Sequence, residues 1–469
     1  MNEKYKKLLT DTGLFAISNF GSKILTFLLV PLYTSVLTTE EYGSADILTT
    51  TVNLLYPVLT LSIYDATLRF GLDRRYDHRK VFCTSILLTI IAAIGLLFVT
   101  PLVWRKDNLF GSYWWLFVGI FVSAAFQMCF SNYVKSRNMT AIFAIQGILY
   151  TLVFLIFNIV FLLYIKLGIV GYLLSIIIAG FSSCIYMLIA SKCYSDLFPF
   201  KIEKEISMEM LRYSVPMIPS SVAWWINASA DKYMILGMIG VSANGLYGIA
   251  HKIPTIFSTV SNLFSQAWRI SAISNYDEKN KQEYYSQIYR KYSLMCIYAC
   301  MILITMSQLL AKILFRSEYY EAWKFVPSLI LAALFEAYAG FLASLYAAAK
   351  RTKILSISTC LGAVVNIVLN YACIKMLGAI GAPIATMLSF VVVWLIRLSI
   401  LNKFMPVVID AKQSVITIPI VIISCLYFSF QGPLYYCFQI VAIITIFLVN
   451  RKETISIFIF IRKLVMRRK

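Results

Sequence analysis

Residues 13–37 read GLFAISNFGSKILTFLLVPLYTSVL, an apolar run long enough to cross a membrane as one helix. Lys23 lies near its middle, at about half the depth of a ~30 Å hydrocarbon core. A lysine ammonium at that depth costs at least ~2.5 kcal/mol on insertion scales. We therefore expect Lys23 to face a water-accessible cleft rather than lipid.

The composition of the whole chain indicates an integral helical membrane protein. Hydrophobic residues make up 60% of the 469 residues, charged residues make up 14%, and the mean hydropathy is +0.77. Helices satisfy their own backbone hydrogen bonds, which lipid cannot do. The ten cysteines are scattered through apolar segments without a CxxC pair, which favours a packing role. We expect no disulfide, metal site or cofactor.

Long apolar runs predict about 14 transmembrane helices. We place them at 12–37, 43–69, 80–103, 113–135, 142–165, 168–191, 211–236, 243–270, 288–314, 322–349, 353–375, 378–401, 413–430 and 433–450. The basic tail 453–469 is too short and too charged for another span, and is typical of an interfacial helix.

The positions of lysine and arginine predict the orientation. With both termini in the cytoplasm, most basic residues fall in cytoplasmic loops, among them Arg74, Arg75, Lys135 and Arg137. The net charge of +20 is then mainly a topology signal that also suits anionic lipid. We do not expect nucleic-acid binding.

The sequence contains an internal repeat with an offset of about 205–212 residues. Four pairs of motifs keep the same order: YGSA (42–45) and YGIA (247–250), Trp114 and Trp323, SRNMT (136–140) and AAKRT (348–352), LGIVG (167–171) and LGAIG (377–381). Each copy has six spans, an even number, so the copies form parallel repeats. We predict an amino-terminal lobe over 1–200, a carboxyl-terminal lobe over 201–404, and two additional helices with the basic tail over 405–469.

Polar side chains follow one face of the first, second, seventh and eighth spans, at steps of three or four residues. These spans hold equivalent places in the two repeats, so we expect a shared central cavity. The residues that we expect to bind substrate there are Lys23, Lys252, Lys232, Asn19, Asn53, Asn262, Gln266 and Arg269. Neutral polar residues also bond helices together, but helix association needs no cation. For Arg269, anchoring to lipid headgroups is an equal alternative.

Acidic residues in or near the spans could couple transport to an ion gradient. The candidates are Asp46, Asp231 and Glu336. Pairing inside the protein is the alternative, because Asp231 adjoins Lys232 in the sequence. The same alternative applies to Asp65, which would pair with Arg69, four residues later.

Prolines recur in the same four spans, where each removes a backbone hydrogen bond and bends its helix. They are Pro31, Pro57, Pro216, Pro219 and Pro254. Bent helices that line a cleft can open and close its two ends. Cations in such a cleft suit phosphate groups, while Trp224, Trp225 and Trp268 with nearby hydroxyls and amides suit sugars.

The stretch SNFGSKILTFLLVPLYTSVLTTEEYGSADI is similar to the start of the Wzx-type polysaccharide and O-antigen flippases, members of the multidrug/oligosaccharidyl-lipid/polysaccharide (MOP) exporter superfamily. Its most specific part is a span ending in Pro31-Leu32-Tyr33, followed by residues 38–43. The resemblance implies an all-α fold with two six-helix lobes in a V. It also implies a basic central cavity, here Lys23, Lys232 and Lys252, and alternating-access movement of undecaprenyl-pyrophosphate-linked repeat units across the bacterial inner membrane.

The resemblance implies a transporter, not an enzyme. Its partners would be the lipid-linked oligosaccharide, a sodium or proton gradient, and the polysaccharide polymerase with its chain-length machinery; we expect a monomer. One alternative is a multidrug or small-solute antiporter of the same superfamily, in which Asp46 and Asp231 would bind cationic solutes. Another is a membrane polysaccharide polymerase or glycosyltransferase, but the external loops are short and no acid/base cluster is evident.

Overall fold

A computed structural model describes residues 25–73, 75–100, 109–274, 276, 280–349, 351–401, 403, 416–426, 433–456 and 459. This part of the chain is built of helices joined by short turns and contains no strand. The predicted all-α class is confirmed. Lys23 and Asn19 lie outside the described residues.

Among the described residues, the amino-terminal half of the chain contains nine α-helices. They are α1 Val30–Val36, α2 Thr39–Leu59, α3 Ile63–Gly71, α4 His78–Phe98, α5 Leu109–Ser112, α6 Trp114–Ser136, α7 Thr140–Ile159, α8 Gly168–Ala190 and α9 Lys204–Ser214. A π-helical turn, Val160–Tyr164, continues α7, and a 3-10 turn, Cys193–Asp196, follows α8.

The carboxyl-terminal half continues in the same way. In the part of it that the structure describes, the helices are α10 Ile218–Met238, α11 Val241–Ala250, α12 Lys252–Ser274, α13 Lys281–Leu314, α14 Val326–Ala348, α15 Thr352–Leu377, α16 Gly381–Leu401, α17 Ile418–Leu426 and α18 Pro433–Val449. The 3-10 turns Val215–Met217, Ser317–Lys324 and Gly378–Ile380 precede α10, α14 and α16.

Within the described residues, seven helical stretches are long and apolar enough to cross a membrane, and the bent pair α2 and α3 would make an eighth. One of the seven, Lys353–Leu401, contains both α15 and α16. The multi-pass class is thereby confirmed, whereas the number of 14 spans stays a prediction.

The chain divides into two compact units. The first contains the residues up to Tyr233 together with Val241–Gly245, and the second contains Met234–Gly240 and the residues from Leu246 onward. The borders predicted after residues 200 and 404 stay a prediction.

One central helix organises each unit. In the first unit α6 packs against α2, α3, α4, α7 and α8, and in the second α14 packs against α12, α13, α15, α16 and α17. Trp114 begins α6, and Trp323 lies in the 3-10 turn that leads into α14. The two helices that the sequence repeat makes equivalent therefore hold the same place in their own units.

Side chains of α6 form much of the core of the first unit. Phe117 and Phe121 belong to a buried cluster with Leu48 of α2 and Leu173 of α8. Inside a bilayer such helices associate through close van der Waals packing, because lipid tails are as apolar as the side chains. The cysteines contribute to the interior as expected: all ten are free thiols and most are buried.

The bend between α2 and α3 has a cause in the sequence. The two helices meet at an angle of 59°. Pro57 lies inside α2 and has no N–H to donate, and Leu61 and Ser62 adopt positive φ angles of 53° and 50°. The carbonyl oxygen of Pro57 accepts the N–H of Ser62 at 2.7 Å. The predicted bend of this proline-containing span is confirmed.

The turn after α8 is fastened to the first unit by one buried carboxylate. Asp196 accepts a hydrogen bond from the Tyr133 hydroxyl at 2.8 Å. Its two oxygens also lie 3.3 Å from Arg79 Nε and 3.2 Å from Arg137 Nη1. Because Arg79 belongs to α4 and Tyr133 to α6, Asp196 ties this turn to two helices.

The segment that follows is held in the same way. Glu203, just before α9, forms an ion pair with Lys80 of α4. Glu209 of α9 accepts a hydrogen bond from the Tyr76 hydroxyl at 2.6 Å. The chain between α8 and α10 is therefore anchored on the first unit over most of its length.

Candidate functional site

An ion pair joins α2 to α10. Lys232 Nζ lies 2.9 Å from Asp46 Oδ1 and 2.8 Å from Asp46 Oδ2, and the two side chains are 16% and 13% exposed. Solvent ions screen such a partly buried pair only weakly. The structure thus brings together a predicted substrate-binding residue and a predicted ion-coupling residue as partners of one another.

Hydrogen bonds next to this pair hold α10 against α2. The Tyr233 hydroxyl bonds to the Thr51 hydroxyl, and Trp225 Nε1 donates to the Thr50 carbonyl oxygen at 2.9 Å. The rings of Trp225 and Tyr233 pack edge to face, with their centroids 5.2 Å apart. Trp225 is therefore fixed by both its indole N–H and its ring.

At the Thr39 end of α2, the helix meets the start of α11 backbone to backbone. A Cβ added to Gly43 would lie 2.2 Å from the Val241 carbonyl oxygen, and one added to Gly245 would lie 1.9 Å from the Thr39 carbonyl oxygen. The hydroxyls of Thr39 and Ser242 are 2.6 Å apart. Only glycine allows this approach, since any side chain would clash with main-chain atoms.

A cavity of about 600 Å³ lies beside the bend between α2 and α3. This volume is within the range of ~300–1,000 Å³ that is usual for small-molecule sites. Residues of α2, α3 and α10 in the first unit line it: Asn53, Tyr56, Pro57, Tyr64, Ser220, Ser221, Trp224, Trp225, Ala228 and Ser229. The bend caused by Pro57 thus positions the cavity.

The chemistry of this lining is aromatic and neutral. Trp224 is 70% exposed, so its indole face is open to a ligand. The amide of Asn53 and the serine hydroxyls can both donate and accept hydrogen bonds. Among the described lining residues none is charged, which differs from the basic cavity that the sequence predicts; Asn53 is the predicted site residue found there.

A smaller pocket, of about 90 Å³, lies between α12 and α14 in the second unit. Its lining comes from two helix faces: Ser258, Ser261, Asn262 and Ser265 from α12, and Ala333, Glu336, Ala337 and Gly340 from α14. The pocket brings together Asn262, which we predict to bind substrate, and Glu336, which we predict to couple an ion.

The structure leaves the other predicted residues apart from these two cavities. Lys252, the first residue of α12, is partly buried, and Gln266 and Arg269 of the same helix are exposed. Asp231 is 4% exposed, and its carboxylate accepts the backbone N–H of Lys232 at 2.9 Å. The roles assigned to these residues stay predictions.

The alternative in which Asp65 pairs with Arg69 is wrong, because among the described residues Arg69 has a different carboxylate partner. Arg69 Nη1 lies 3.8 Å from Asp73, which follows the end of α3. Hydrogen bonds from Arg75 to that carboxylate lower the pKa of Asp73 to about 2. The ion-pair partner of Arg69 is therefore Asp73, in the turn after α3, and not Asp65, one helical turn before Arg69.

Sequence reasoning missed Arg397, a cation 7% exposed inside α16. Its guanidinium donates to Ser358 Oγ at 3.0 Å, to Thr359 Oγ1 at 3.0 Å and to the Ala339 carbonyl oxygen at 2.8 Å. These bonds tie α16 to α15 and α14. The positive-inside rule counts Arg397 as a topology residue because it lies near a span end. That rule does not say whether the side chain of Arg397 is buried.

Comparison with known proteins identifies the family. Residues 8–270 match the polysaccharide biosynthesis protein family. An uncharacterised membrane protein of Methanocaldococcus jannaschii is 23% identical over 416 residues, which cover 83% of this chain and 96% of that protein.

Solved structures share the fold at low sequence identity. Lipid II flippase MurJ in an inward closed conformation has a TM-score of 0.70 at 16% identity, covering 96% of this chain and 99% of that one. An inward-facing MATE family multidrug resistance transporter has a TM-score of 0.65 at 17% identity, covering 83% and 99%. A MOP superfamily transporter of Pyrococcus furiosus has a TM-score of 0.58 at 14% identity, covering 84% and 96%. The chain therefore belongs to the polysaccharide biosynthesis protein family and has the fold of the MOP superfamily transporters.

Proposed function

We propose that the protein is a flippase that moves undecaprenyl-pyrophosphate-linked repeat units of a surface polysaccharide, of the O-antigen or capsule type, across the bacterial inner membrane by alternating access. The aromatic, hydroxyl-rich cavity beside the α2–α3 bend is the observation that carries this proposal. The family supplies the polysaccharide context. MurJ is a precedent for a lipid-linked substrate on the same fold.

The cavity suits a sugar for two reasons. An exposed indole face such as that of Trp224 offers an apolar platform for the C–H face of a pyranose ring, and the hydroxyls of the sugar need donors and acceptors around its edge. Asn53, Ser220 and Ser229 provide those groups. The lipid tail of the substrate would remain in the bilayer.

The pyrophosphate of the substrate needs cations. We assign this role to Lys23, Lys232 and Lys252, of which Lys232 is held by Asp46. An anionic headgroup would compete with Asp46 for Lys232. The other predicted substrate contacts are Asn19, Asn262, Gln266 and Arg269.

The contacts of α2 support a transport cycle. Near its Thr39 end, α2 is in close contact with α11 at Gly43 and with α10 through the Asp46–Lys232 pair. The cavity lies toward the Leu59 end of α2. With both termini in the cytoplasm, α2 runs inward from the outer surface, so the closed end is the outer one. When these contacts break and the opposite end closes, the sugar would be released outside. There it would pass to the polymerase and chain-length machinery. The transporter would act as a monomer.

Replacing Trp224 with alanine is expected to weaken glycolipid binding by about 30-fold or more and to slow flipping to match. Aromatic anchors at the centre of a binding site are worth at least ~2 kcal/mol, or about 30-fold in affinity. The measurement is flipping, and binding, of pyrophosphate-linked glycolipids in proteoliposomes. Trp224→Phe should retain part of the activity because it keeps an aromatic face.

Trp115→Ala is the matched control, since Trp115 is a tryptophan of α6 that is 59% exposed and does not line the cavity. It should flip normally. A Trp224→Ala protein that binds and flips the glycolipid like the wild type would overturn the role of the cavity.

The second candidate is a cation-coupled multidrug or small-solute antiporter. The MATE-like fold and the carboxylate of Glu336, exposed in a pocket, favour it. The same proteoliposomes tested with cationic dyes separate the two functions. Transport of dyes without transport of glycolipids would replace the flippase by the antiporter.

A further inference from the structure

A third pocket lies in the first unit, where α3 ends beside α9. Its volume is about 120 Å³, and its lining consists of Arg69, Phe70, Asp73, Arg75, Tyr76 and Tyr213. A cavity of ~10–15 Å³ already holds one water molecule, so this pocket has room for a phosphate group. Two arginines and one aspartate give the lining an excess of positive charge.

The two guanidinium groups are held in place and still face solvent. Arg75 donates to the Asp73 carboxylate from Nη2 at 2.7 Å and from Nε at 3.1 Å. Arg69 Nη1 lies 3.8 Å from the same carboxylate. The side chains of Arg75 and Arg69 are 76% and 56% exposed. Because a guanidinium has five N–H groups in a planar fork, both arginines can donate to the oxygens of a phosphate as well.

Aromatic rings form the rest of the lining. Phe70 packs edge to face against Tyr76 and Tyr213, with centroids 4.8 Å and 6.0 Å away. The Tyr76 hydroxyl donates to Glu209 at 2.6 Å, whereas Tyr213 is 39% exposed and its hydroxyl can donate to a ligand. The pocket therefore combines cations, a hydroxyl donor and an apolar wall.

The pocket lies at a membrane surface. Asp73 and Arg75 belong to the turn between α3 and α4, and α9 lies between α8 and α10. Four stretches long and apolar enough to span a membrane, beginning with α4 and ending with α8, separate that turn from α9. Four crossings return the chain to the same side. With the orientation predicted from the sequence, this side is the cytoplasmic leaflet.

The segment that contributes Tyr213 exposes apolar side chains at this surface. Met210 of α9 is buried against the first unit. Phe198, Phe200 and Met208 are instead 76%, 45% and 44% exposed. Apolar side chains on a short helix that lies between two spans are typical of a segment bound at the headgroup and acyl-chain boundary.

The surroundings of the pocket are also basic. Residues 69–80, from the end of α3 to the start of α4, contain five arginines and lysines and two aspartates. Glu209 of α9 adds one carboxylate, which accepts the Tyr76 hydroxyl. An anion that approaches from the leaflet therefore meets an excess of positive charge.

We propose that this pocket binds the phosphate group of an anionic phospholipid, with Arg69 and Arg75 as the cations and Tyr213 as a hydroxyl donor. Basic pockets at the cytoplasmic side of membrane proteins suit anionic lipid headgroups. A lipid, unlike a free phosphate ion, also accounts for the exposed apolar side chains beside α9. This binding does not depend on the proposed transport function.

The test is a titration of fluorescently labelled phosphatidylglycerol into the purified full-length protein in nonionic detergent. Phosphatidylcholine with the same acyl chains is the comparison, because its choline cancels the charge of its phosphate. We expect phosphatidylglycerol to bind at least ~10-fold more tightly. The double variant Arg69→Gln/Arg75→Gln should lose this preference, since hydrogen bonds to charged groups are each worth ~10-fold or more.

Two further variants keep the test decisive. Tyr213→Glu places a carboxylate at the pocket from an exposed position of α9 and should also remove the preference, which covers an arginine variant that does not fold. Lys192→Gln/Lys353→Gln is the matched control. It removes two positive charges from exposed side chains that the sequence places on the same side of the membrane, but outside the pocket. It should keep the preference.

Three results would overturn the proposal. The first is equal binding of the two lipids by the wild type. The second is a preference that survives in Arg69→Gln/Arg75→Gln, or one that falls equally in the lysine control, because either result would mean diffuse attraction by surface charge. The third is competition by millimolar inorganic phosphate as effective as that by unlabelled phosphatidylglycerol, which would make the pocket a site for soluble phosphate.

Discussion

A Gly245→Ala protein is expected to lose the closed contact between α2 and α11, and with it most transport. The added Cβ would stand 1.9 Å from the carbonyl oxygen of Thr39 and 2.9 Å from its carbonyl carbon. Those are main-chain atoms of a helix, which no change of rotamer can move aside. Overpacking typically costs ~1–3 kcal/mol, so the population of the closed arrangement should fall by a factor of about 5 to 150.

Cross-linking measures this change directly. The hydroxyls of Thr39 and Ser242 are 2.6 Å apart, so cysteines at these two positions should form a disulfide in the closed arrangement. The exposed Cys360 and Cys437 would first be replaced by serine. We expect fast cross-linking in the parent and slow cross-linking with Gly245→Ala.

Gly237→Ala provides the control, because a Cβ at this α10 glycine would meet nothing within 4 Å. It should cross-link and transport like the parent. If Gly245→Ala cross-links as fast as Gly237→Ala, the close backbone contact does not hold α2 in place.

Breaking the Asp46–Lys232 pair is expected to have the other large effect. Asp46→Asn and Lys232→Met each leave the remaining partner as an unpaired charge whose side chain is less than one-fifth exposed. Such a change typically lowers the free energy of unfolding by ~3–5 kcal/mol. We expect both single variants to unfold at lower temperature and to lose glycolipid flipping. The measurements are thermal unfolding and flipping on the same preparations.

The reversed pair, Asp46→Lys with Lys232→Asp, separates the structural role of the ion pair from the role of Lys232 in binding the pyrophosphate. It should recover much of the stability because a pair can form again. It should not recover flipping if Lys232 meets the pyrophosphate, because a lysine on α2 points from the opposite side. Full recovery of both would make the pair purely structural.

The exposed pair Lys324–Glu321 is the reference for these variants. Neutralising a surface pair changes stability by only ~0–1 kcal/mol. Single variants of Asp46 and Lys232 that are as mild as those of Lys324 and Glu321 would contradict the buried ion pair.

Features encoded by local spacing were predictable from the sequence. Apolar runs predict the helices, Pro57 predicts the bend that shapes the cavity, and Trp114 and Trp323 mark helices that hold the same place in each unit. Each of these depends on residues within one span, or on the same pattern repeated. Hydropathy and helix periodicity are sufficient to find them.

Contacts between distant segments were not predictable in this way. Asp46 and Lys232 are far apart in the sequence, and only the packing of α10 on α2 makes them partners. Asp231 is the neighbour of Lys232 in the sequence, but successive residues of a helix point about 100° apart, so it faces the protein interior instead. Polar periodicity assigns a face to Asn53 without showing that Tyr64 and Trp224 line the same cavity.

The anchoring of the segment after α8 determines where the chain can be divided into two polypeptides. Asp196, Glu203 and Glu209 all bind partners in the first unit. A first polypeptide ending at residue 200 would leave Lys80 and Tyr76 without their carboxylates, and the second would begin with two unpaired acidic groups. A split-gene version, or a fusion inserted between the halves, therefore belongs beyond Ser214 rather than at the border suggested by the repeat.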